Sequence, residues 1–234
     1  MNSEEDVFSF NFWPSFADLM LSVVLILIIV IFVIYSVLSA GSVNLRHVQN
    51  RQRTFIEELA GLYGTKAVPD DAEEEVYSIS IRGSASRDVI IRNEPTLQRF
   101  SFGSHILFAP DSVTLTENGR QVLRKLGVVL KKQLPLMKEI QIQGHADPVP
   151  TRRYRSNLDL AAFRAMEVYR FFQDSVGIDP AQHLMSATSF GAFKPVQRTE
   201  NDSTYNQQRL EADNQNFRMK DRNRRIELII FNRF

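Results

Sequence analysis

Asp18 is an acid at the edge of the most apolar stretch of the chain, WPSFADLMLSVVLILIIVIFVIYSVL, which runs from Trp13 to Leu38. Ionised side chains are costly inside a bilayer, and those that occur there usually mark a path for ions or protons. A carboxylate can be charged, or neutral once it has bound a proton. Taken alone, Asp18 has two open interpretations: an ion carrier, or a helix cap lying among lipid head groups.

A second group of reactive side chains lies in GHADPVPTRRYRSNLDLAAFRAMEV. Asp147 follows a predicted strand, and Arg164 lies on a predicted helix that begins near Asn157. A carboxylate can bind an ammonium group, and a guanidinium can bind a carboxylate as a fork, so the two side chains could hold a zwitterion. The alternative is a salt bridge between Asp147 and Arg164 themselves.

Metal and hydrolase chemistry have little support in the sequence. The chain has no cysteine, and its four histidines are dispersed without the i, i+4 spacing of a zinc helix: His47, His105, His145 and His183. Hydrolysis of a glycan would need two acids flanking one cleft, and only Asp147 is evident there, with Asp159 on the neighbouring helix. We therefore expect no metal, no cofactor and no enzymatic activity.

The overall charge is nearly balanced. The chain has 28 Lys and Arg residues and 27 Asp and Glu residues. This balance lacks the excess of positive charge that is typical of nucleic-acid binding, so we expect no nucleic-acid partner.

Residues 19–38 form a run without any charged side chain. A helix of that length spans about 30 Å, the hydrocarbon thickness of a bilayer. The acidic start of the chain and the length of the run favour a retained span over a cleaved signal peptide. The first basic residues follow the span, which by the positive-inside rule would place the N-terminus outside: Arg46, Arg51 and Arg53.

The segment SVNLRHVQNRQRTFIEELAGLYG after the span has its apolar positions three and four residues apart. This spacing predicts an amphipathic helix that forms a short coiled-coil seam or lies on the next domain, through Leu45, Val48, Gln52, Phe55, Leu59 and Leu62. The acidic VPDDAEEE that follows is typical of a solvated linker.

The rest of the chain alternates strand and helix patterns. Strands are predicted in RFSFGSHILFAP, KEIQIQGH, HLMSATSFG and RRIELIIF. One helix is predicted in LTENGRQVLRKLGVVLKKQLP, and another runs from an N-cap at Asn157 to Gly177. The pattern predicts an α/β (α+β) sandwich, with helices packed on one mixed sheet.

The motif W-P-S-F-A-D-L-M resembles the start of the single span in flagellar stator B subunits, the MotB family. It is also similar to the B subunits of Zorya anti-phage systems. Leu21 stands where the family usually has a hydroxyl residue. The resemblance implies that Asp18 carries the transported ion, H⁺ or Na⁺. It also implies a homodimer surrounded by a pentameric A-subunit ring, with a plug helix after the span.

The C-terminal half resembles OmpA-like domains. Their peptidoglycan-binding motif is an Asp after a strand followed by N-x-x-L-S-x-x-R-A, and the chain has Asn157, Leu160, Arg164 and Ala165 at these positions, with Ala161 for the serine. The segment N-R-R-I-E-L, Asn223 to Leu228, also resembles the N-R-R-V-E motif near the end of these domains. The similarity covers about residues 98–234. It implies that Asp147 and Arg164 grip the diaminopimelate of the peptidoglycan stem, supported by Asn157 and Arg224.

Together the two resemblances imply four segments: a cytoplasmic tail (1–15), a transmembrane helix (16–40), a plug-like amphipathic helix with an acidic linker (41–75) and an OmpA-like domain (76–234). They imply a single-pass protein of the bacterial inner membrane, with a cytoplasmic N-terminus and a periplasmic domain. The expected function is a peptidoglycan-anchored B subunit of an ion-driven motor. The alternative is a passive, membrane-tethered anchor. A polar stretch at residues 196–222 is expected to be a mobile loop that covers the pocket or meets a partner.

Overall fold

The computed structural model describes residues 13–81, 87–198, 202 and 204–233, with the backbone alone for residues 39–45. Most of the predicted N-terminal tail therefore lies outside the described residues. The chain divides into two compact units, Met1–His47 and Val48–Phe234.

Helix α1, Trp13–Tyr63, begins in the first unit and ends in the second. Within the first unit, Trp13–Leu38 is long and apolar enough to cross a membrane, and none of its side chains is buried. By length and composition alone, this segment could be a membrane anchor or a signal sequence.

The last part of α1 belongs to the core of the second unit. Val48, Gln52, Phe55 and Leu59 are buried, and the Phe55 ring packs 5.1 Å from the Phe100 ring. This segment therefore lies on the domain as an amphipathic helix, and the side chain of Leu45 is outside the described set. The compact unit begins at Val48, whereas the sequence predicts a domain from residue 76.

The described part of the second unit is built on one seven-stranded mixed sheet, which confirms the predicted mixed sheet. Its strands are β1 Val68–Pro69, β2 Val76–Ile79, β3 Val89–Asn93, β4 Leu97–Gly103, β5 Met137–His145, β6 Leu184–Gly191 and β7 Arg225–Asn232. Their order is β1-β2-β3-β4-β7-β5-β6, with β5 and β6 parallel and the other pairs antiparallel. The short strand β1 lies within the segment predicted to be a linker, where it pairs with β2.

The described residues of this unit form five further helices: α2 Ser104–Leu107, α3 Glu117–Gln133, α4 Asn157–Arg170, α5 Gln207–Ala212 and α6 Phe217–Asn223. A 3₁₀ turn, Leu134–Leu136, follows α3, and a π-helical turn, Phe171–Val176, follows α4. Gly177 ends this turn with φ +74, as expected for a left-handed cap. The strand predicted in RFSFGSHILFAP ends at Gly103, because residues 104–107 form helix α2.

One face of the sheet carries the hydrophobic core. Phe100 and Phe102 on β4 alternate with the polar Arg99 and Ser101, because successive side chains of a strand point to opposite faces. The apolar stripe of α3 packs into this core through Val122, Leu123, Leu126, Val129 and Leu130. The opposite face of the sheet carries Arg99, Ser101, His145, Arg225 and Glu227.

The polar stretch predicted to be a loop contains α5 and α6. The described residues here are 196–198, 202 and 204–222. The Asn223 side chain is buried and accepts a hydrogen bond from Val196 N at 2.9 Å while donating to Asn214 Oδ1 at 2.8 Å. These bonds fix α6 to the body of the domain.

Candidate functional site

Asp147 lies just beyond the end of β5. The strand ends at His145, and Ala146 N donates to Gly191 O of β6 at 2.8 Å, so the chain leaves the sheet at a fixed point. Asp147 is buried, with only 4% of its surface exposed. Burial disfavours the charged form and raises the pKa of this carboxyl, while the nearby Arg224 opposes the shift.

Arg224 is the cation that pairs with Asp147. Its Nη1 lies 3.2 Å from Asp147 Oδ2, and its Nη2 lies 3.3 Å from Asp221 Oδ1. About a third of the Arg224 side chain is exposed, so this guanidinium faces both the acid and solvent. The Asp147–Arg164 salt bridge considered from the sequence is replaced by an Asp147–Arg224 pair.

Arg164 is held on α4 by main-chain carbonyls. Its Nε donates to Ser112 O at 2.8 Å, its Nη2 donates to Ala109 O at 3.4 Å, and its guanidinium lies 5.1 Å from the centre of the Phe108 ring. Burial lowers the pKa of Arg164, against the attraction of Asp111 and other acidic groups. Among the described residues, no protein acceptor meets its Nη1, which can therefore serve a ligand.

A glycine allows α4 to sit this close to the sheet. A Cβ on Gly144 of β5 would lie 2.0 Å from the carbonyl oxygen of Ala161 on α4. Any side chain here would push the helix away and displace Arg164, which follows Ala161 by one turn.

Asn157 shapes the loop that follows Asp147. Its Nδ2 donates to Asp147 O and Val149 O, both at 2.9 Å, and its Oδ1 accepts from Thr151 N at 3.2 Å. Asn157 is the first residue of α4, and the N-cap is Ser156, whose hydroxyl accepts from Asp159 N. The predicted N-cap was therefore one residue late, because the Asn157 side chain turns back to the loop.

Asp111 is a residue of this site that the sequence did not reveal. Its Oδ1 accepts from Thr151 Oγ1 at 2.5 Å, its Oδ2 accepts from Arg152 N at 3.2 Å, and its own φ is +49. The hydrogen bond from Thr151 is the main reason why the pKa of Asp111 is lowered. The sequence signal that could have revealed Asp111 is the turn-forming run Pro110-Asp111-Ser112, because Asp is one of the residues that adopt the left-handed conformation in turns.

These groups line one cavity of about 530 Å³. Its charged and aromatic lining includes Asp111, Asp147, Arg164, Phe217, Asp221 and Arg224. Asp147 offers an acceptor for an ammonium group, and the two guanidiniums offer donors for a carboxylate. The predicted residues Asp147, Asn157, Arg164 and Arg224 all lie on this cavity, while Asp159 is absent from its lining and bonds Ser156.

Asp18 belongs to the first unit and is the sixth residue of the described part of α1. It lies inside the helix, which argues against a capping role. Its main-chain carbonyl accepts a hydrogen bond from Ser22 Oγ at 2.9 Å, and Trp13 contacts Phe16 edge-on at 6.2 Å in the preceding turn.

No group of three or more His, Asp or Glu side chains in the described residues could hold a metal ion.

Comparison with known proteins gives this domain a family. Residues 107–209 match the family model for the OmpA family. This part of the chain is an OmpA-family domain of the peptidoglycan-binding type. The match includes Asp147, Asn157 and Arg164, and it ends before Phe217 and Arg224.

The OmpA-family domain also has solved structural relatives. A putative MotB-like protein from Desulfovibrio vulgaris superposes with a TM-score of 0.56 at 21% identity, over 81% of this chain and 99% of that one. The periplasmic domain of Helicobacter pylori MotB superposes with a TM-score of 0.54 at 18% identity, over 69% of this chain and 90% of that one. At these identities the likeness establishes the fold, which is MotB-like.

A sequence relative is the uncharacterized protein YtxE of Bacillus subtilis (strain 168). It is 27% identical over 127 residues, which is 53% of this chain. The chain spans 44% of the length of that protein.

Proposed function

We propose that the OmpA-family domain anchors the chain to peptidoglycan by holding the diaminopimelate of a peptide stem. The observation that carries this proposal is the convergence of Asp147, Arg164 and Arg224 on one cavity. Diaminopimelate presents an ammonium and a carboxylate on one carbon, and the cavity offers a carboxylate for the first and guanidinium donors for the second. OmpA-like and MotB-like domains of this type are non-catalytic, and the proposed role is binding alone.

In the proposed complex, each side chain has a distinct role. Asp147 accepts hydrogen bonds from the ligand ammonium while it retains Arg224 on its other side. Arg164 donates from Nη1 to the ligand carboxylate, because its Nε and Nη2 are engaged by Ser112 O and Ala109 O. Asn157 holds the loop carbonyls, so its contribution is to position Asp147.

A co-sedimentation experiment with purified sacculi tests this proposal. The full chain in detergent should sediment with sacculi that contain diaminopimelate, and Asp147→Ala and Arg164→Ala should each reduce the affinity. Loss of one partner of a buried charge pair costs about 2–5 kcal/mol, which corresponds to roughly thirty-fold or more. Asp174→Ala is the matched control, because Asp174 is exposed and outside the cavity lining. Wild-type binding by both folded cavity variants would refute the assignment.

We also propose that the chain is the B subunit of an ion-driven motor in the bacterial inner membrane. This proposal rests on Asp18. An ionisable side chain in an apolar helix makes insertion into the membrane less favourable, and a passive tether would gain no function from it. In the proposed assembly, two copies bring their spans together inside a pentameric A-subunit ring. Binding of H⁺ or Na⁺ neutralises Asp18 and changes which ring contacts are favoured. In this proposal the OmpA-family domain lies in the periplasm and, by binding peptidoglycan, keeps the dimer stationary while the ring rotates around it.

Asp18→Asn tests the motor role, because Asn cannot alternate between a charged and a neutral form. The variant should retain expression, dimerisation and sacculus binding, and lose motor output. The readouts are swimming and phage resistance, in a deletion strain complemented together with the A subunit. Ser22→Ala is the control within the same turn. Normal output from Asp18→Asn would instead favour the passive anchor.

A further inference from the structure

Phe217 is an aromatic side chain exposed to solvent in the middle of a polar stretch. It lies in DNQNFRMKD at the start of α6, and 76% of its surface is exposed. Single exposed apolar residues are common and need no explanation by themselves. Phe217, however, also lines the cavity that contains Asp147 and Arg164.

The ring occupies a definite place relative to the charged groups. Its centre lies 5.5 Å from the guanidinium carbon of Arg224, whose Nη1 lies 3.2 Å from the Asp147 carboxylate. The ring and the carboxylate therefore both contact the same guanidinium. The distance between them is within the roughly 10 Å that three extended residues span.

The helix that carries the ring is capped at its N-terminus and bonded to the rest of the domain at its C-terminus. Asn216 caps α6 by accepting a hydrogen bond from Met219 N at 2.9 Å, and Asn223 at the other end is buried and bonded to Asp213 O and Asn214 Oδ1. The ring is thus presented to solvent by an ordered element. A pre-positioned side chain loses less conformational freedom when a ligand binds.

We propose that Phe217 is a stacking platform for a sugar ring of the glycan strand, so that the site holds stem peptide and sugar together. The inference rests on the proposed binding of diaminopimelate. In a peptidoglycan stem, two residues separate diaminopimelate from the lactyl group of the sugar. With diaminopimelate at Asp147, a sugar lies within reach of Phe217. The C–H face of a pyranose is apolar and suits an aromatic surface.

This platform adds a kind of selectivity that the charged groups lack. Asp147 and Arg164 recognise a zwitterion, wherever it occurs. A neutral ring beside them favours a stem that is still attached to its glycan. The contribution of Phe217 should also be insensitive to salt, because ionic strength screens charges and not apolar contacts.

The experiment compares two soluble ligands with the full chain in detergent: the tripeptide L-Ala-γ-D-Glu-diaminopimelate, and the same tripeptide attached to its disaccharide. Phe217→Ala should weaken binding of the disaccharide tripeptide by about 5- to 30-fold, as expected for loss of a ring contact, and leave tripeptide binding within about twofold. Phe217→Trp should retain the binding of both ligands. Phe193→Ala is the control, because Phe193 is 61% exposed and outside the cavity lining.

Two outcomes would overturn the inference. Equal weakening of both ligands by Phe217→Ala would show that the ring acts on the stem or through Arg224. Unchanged binding of both would show that the ring has no role. Failure of the proposed function is a separate result, in which the wild-type chain binds neither ligand.

Discussion

Asp147 and Arg224 form an ion pair across the candidate cavity, with 3.2 Å between Oδ2 and Nη1, although 77 residues separate them in the sequence. The pair does not cancel the cost of burying the acid, because the pKa of Asp147 is still raised, mainly by burial. A group whose folded-state pKa is raised loses stability as pH rises through that value. At neutral pH the Asp147 carboxylate therefore costs folding stability, as expected for a side chain retained to bind a ligand.

Asp147→Asn should separate binding from stability. Asn resembles the neutral form of the acid, so at neutral pH the variant should melt no lower than the wild type, whereas its affinity for sacculi should fall at least about tenfold. Thermal melting and co-sedimentation on the same samples provide the measurement, with Asp174→Asn as the exposed control. A clearly lower melting temperature with intact binding would favour a purely structural ion pair.

Arg164→Lys tests whether the shape of the guanidinium is needed in addition to its charge. Lysine keeps the charge but cannot reproduce the donors to Ser112 O and Ala109 O. We expect the variant to lose about 1–3 kcal/mol of folding stability and most sacculus binding. Arg170→Lys on the exposed side of the same helix should change neither quantity. Full binding by Arg164→Lys would show that a point charge is enough.

Much of this architecture could be predicted from the sequence. The 3.6-residue periodicity of α3, the alternation in KEIQIQGH and the strand pattern of RRIELIIF are local signals, and the structure confirms the helix and both strands. The placement of Asp147 and Arg164 on one cavity followed from a strand, a turn and a helix in succession. These features depend on residues close in sequence, where pattern and structure are tightly linked.

Other features depend on contacts that no local pattern contains. The apolar positions after the span suit a coiled-coil seam equally well, and only packing on Phe100 reveals their burial in the domain. Helix α6 has a composition typical of a loop and is fixed by the buried Asn223. The pairing of Asp147 with Arg224 depends on how β7 enters the sheet beside β5.

Phe55→Ala should test whether the end of α1 belongs to the domain core. Phe55 is 1% exposed and packs on Phe100, so its truncation should cost about 3–5 kcal/mol of folding stability. Leu62→Ala is the matched control, because Leu62 is 38% exposed on the same helix and should cost little. Chemical denaturation of both variants gives the comparison. Equal stabilities would mean that this segment packs only loosely.

His145 is a buried base on the polar face of the sheet. Its side chain is fully buried, stacks on Phe190 at 5.3 Å, and has its Nε2 3.6 Å from Glu227 Oε2. Burial lowers its pKa to about 4, with Arg225 and Lys194 acting in the same direction and Glu227 in opposition. Glu227 is also bonded to Arg99 and Arg225. Because these two cations already balance its charge, a further positive charge on a protonated His145 is poorly accommodated.

The expected consequence is a loss of stability in mild acid. Between the unfolded pKa of about 6.5 and the folded value, the unfolded chain binds the proton and the folded chain does not, so stability falls as pH falls, by about 3 kcal/mol in all. His145→Gln has no such group and should show a flatter curve of unfolding free energy between about pH 6.5 and pH 4. Glu227, with its pKa held well below its usual value, contributes only at the acid end of this range in both proteins. His183→Gln, at a partly exposed site, is the control and should follow the wild type. Parallel curves for His145→Gln and the wild type would mean that His145 accepts its proton in the folded state.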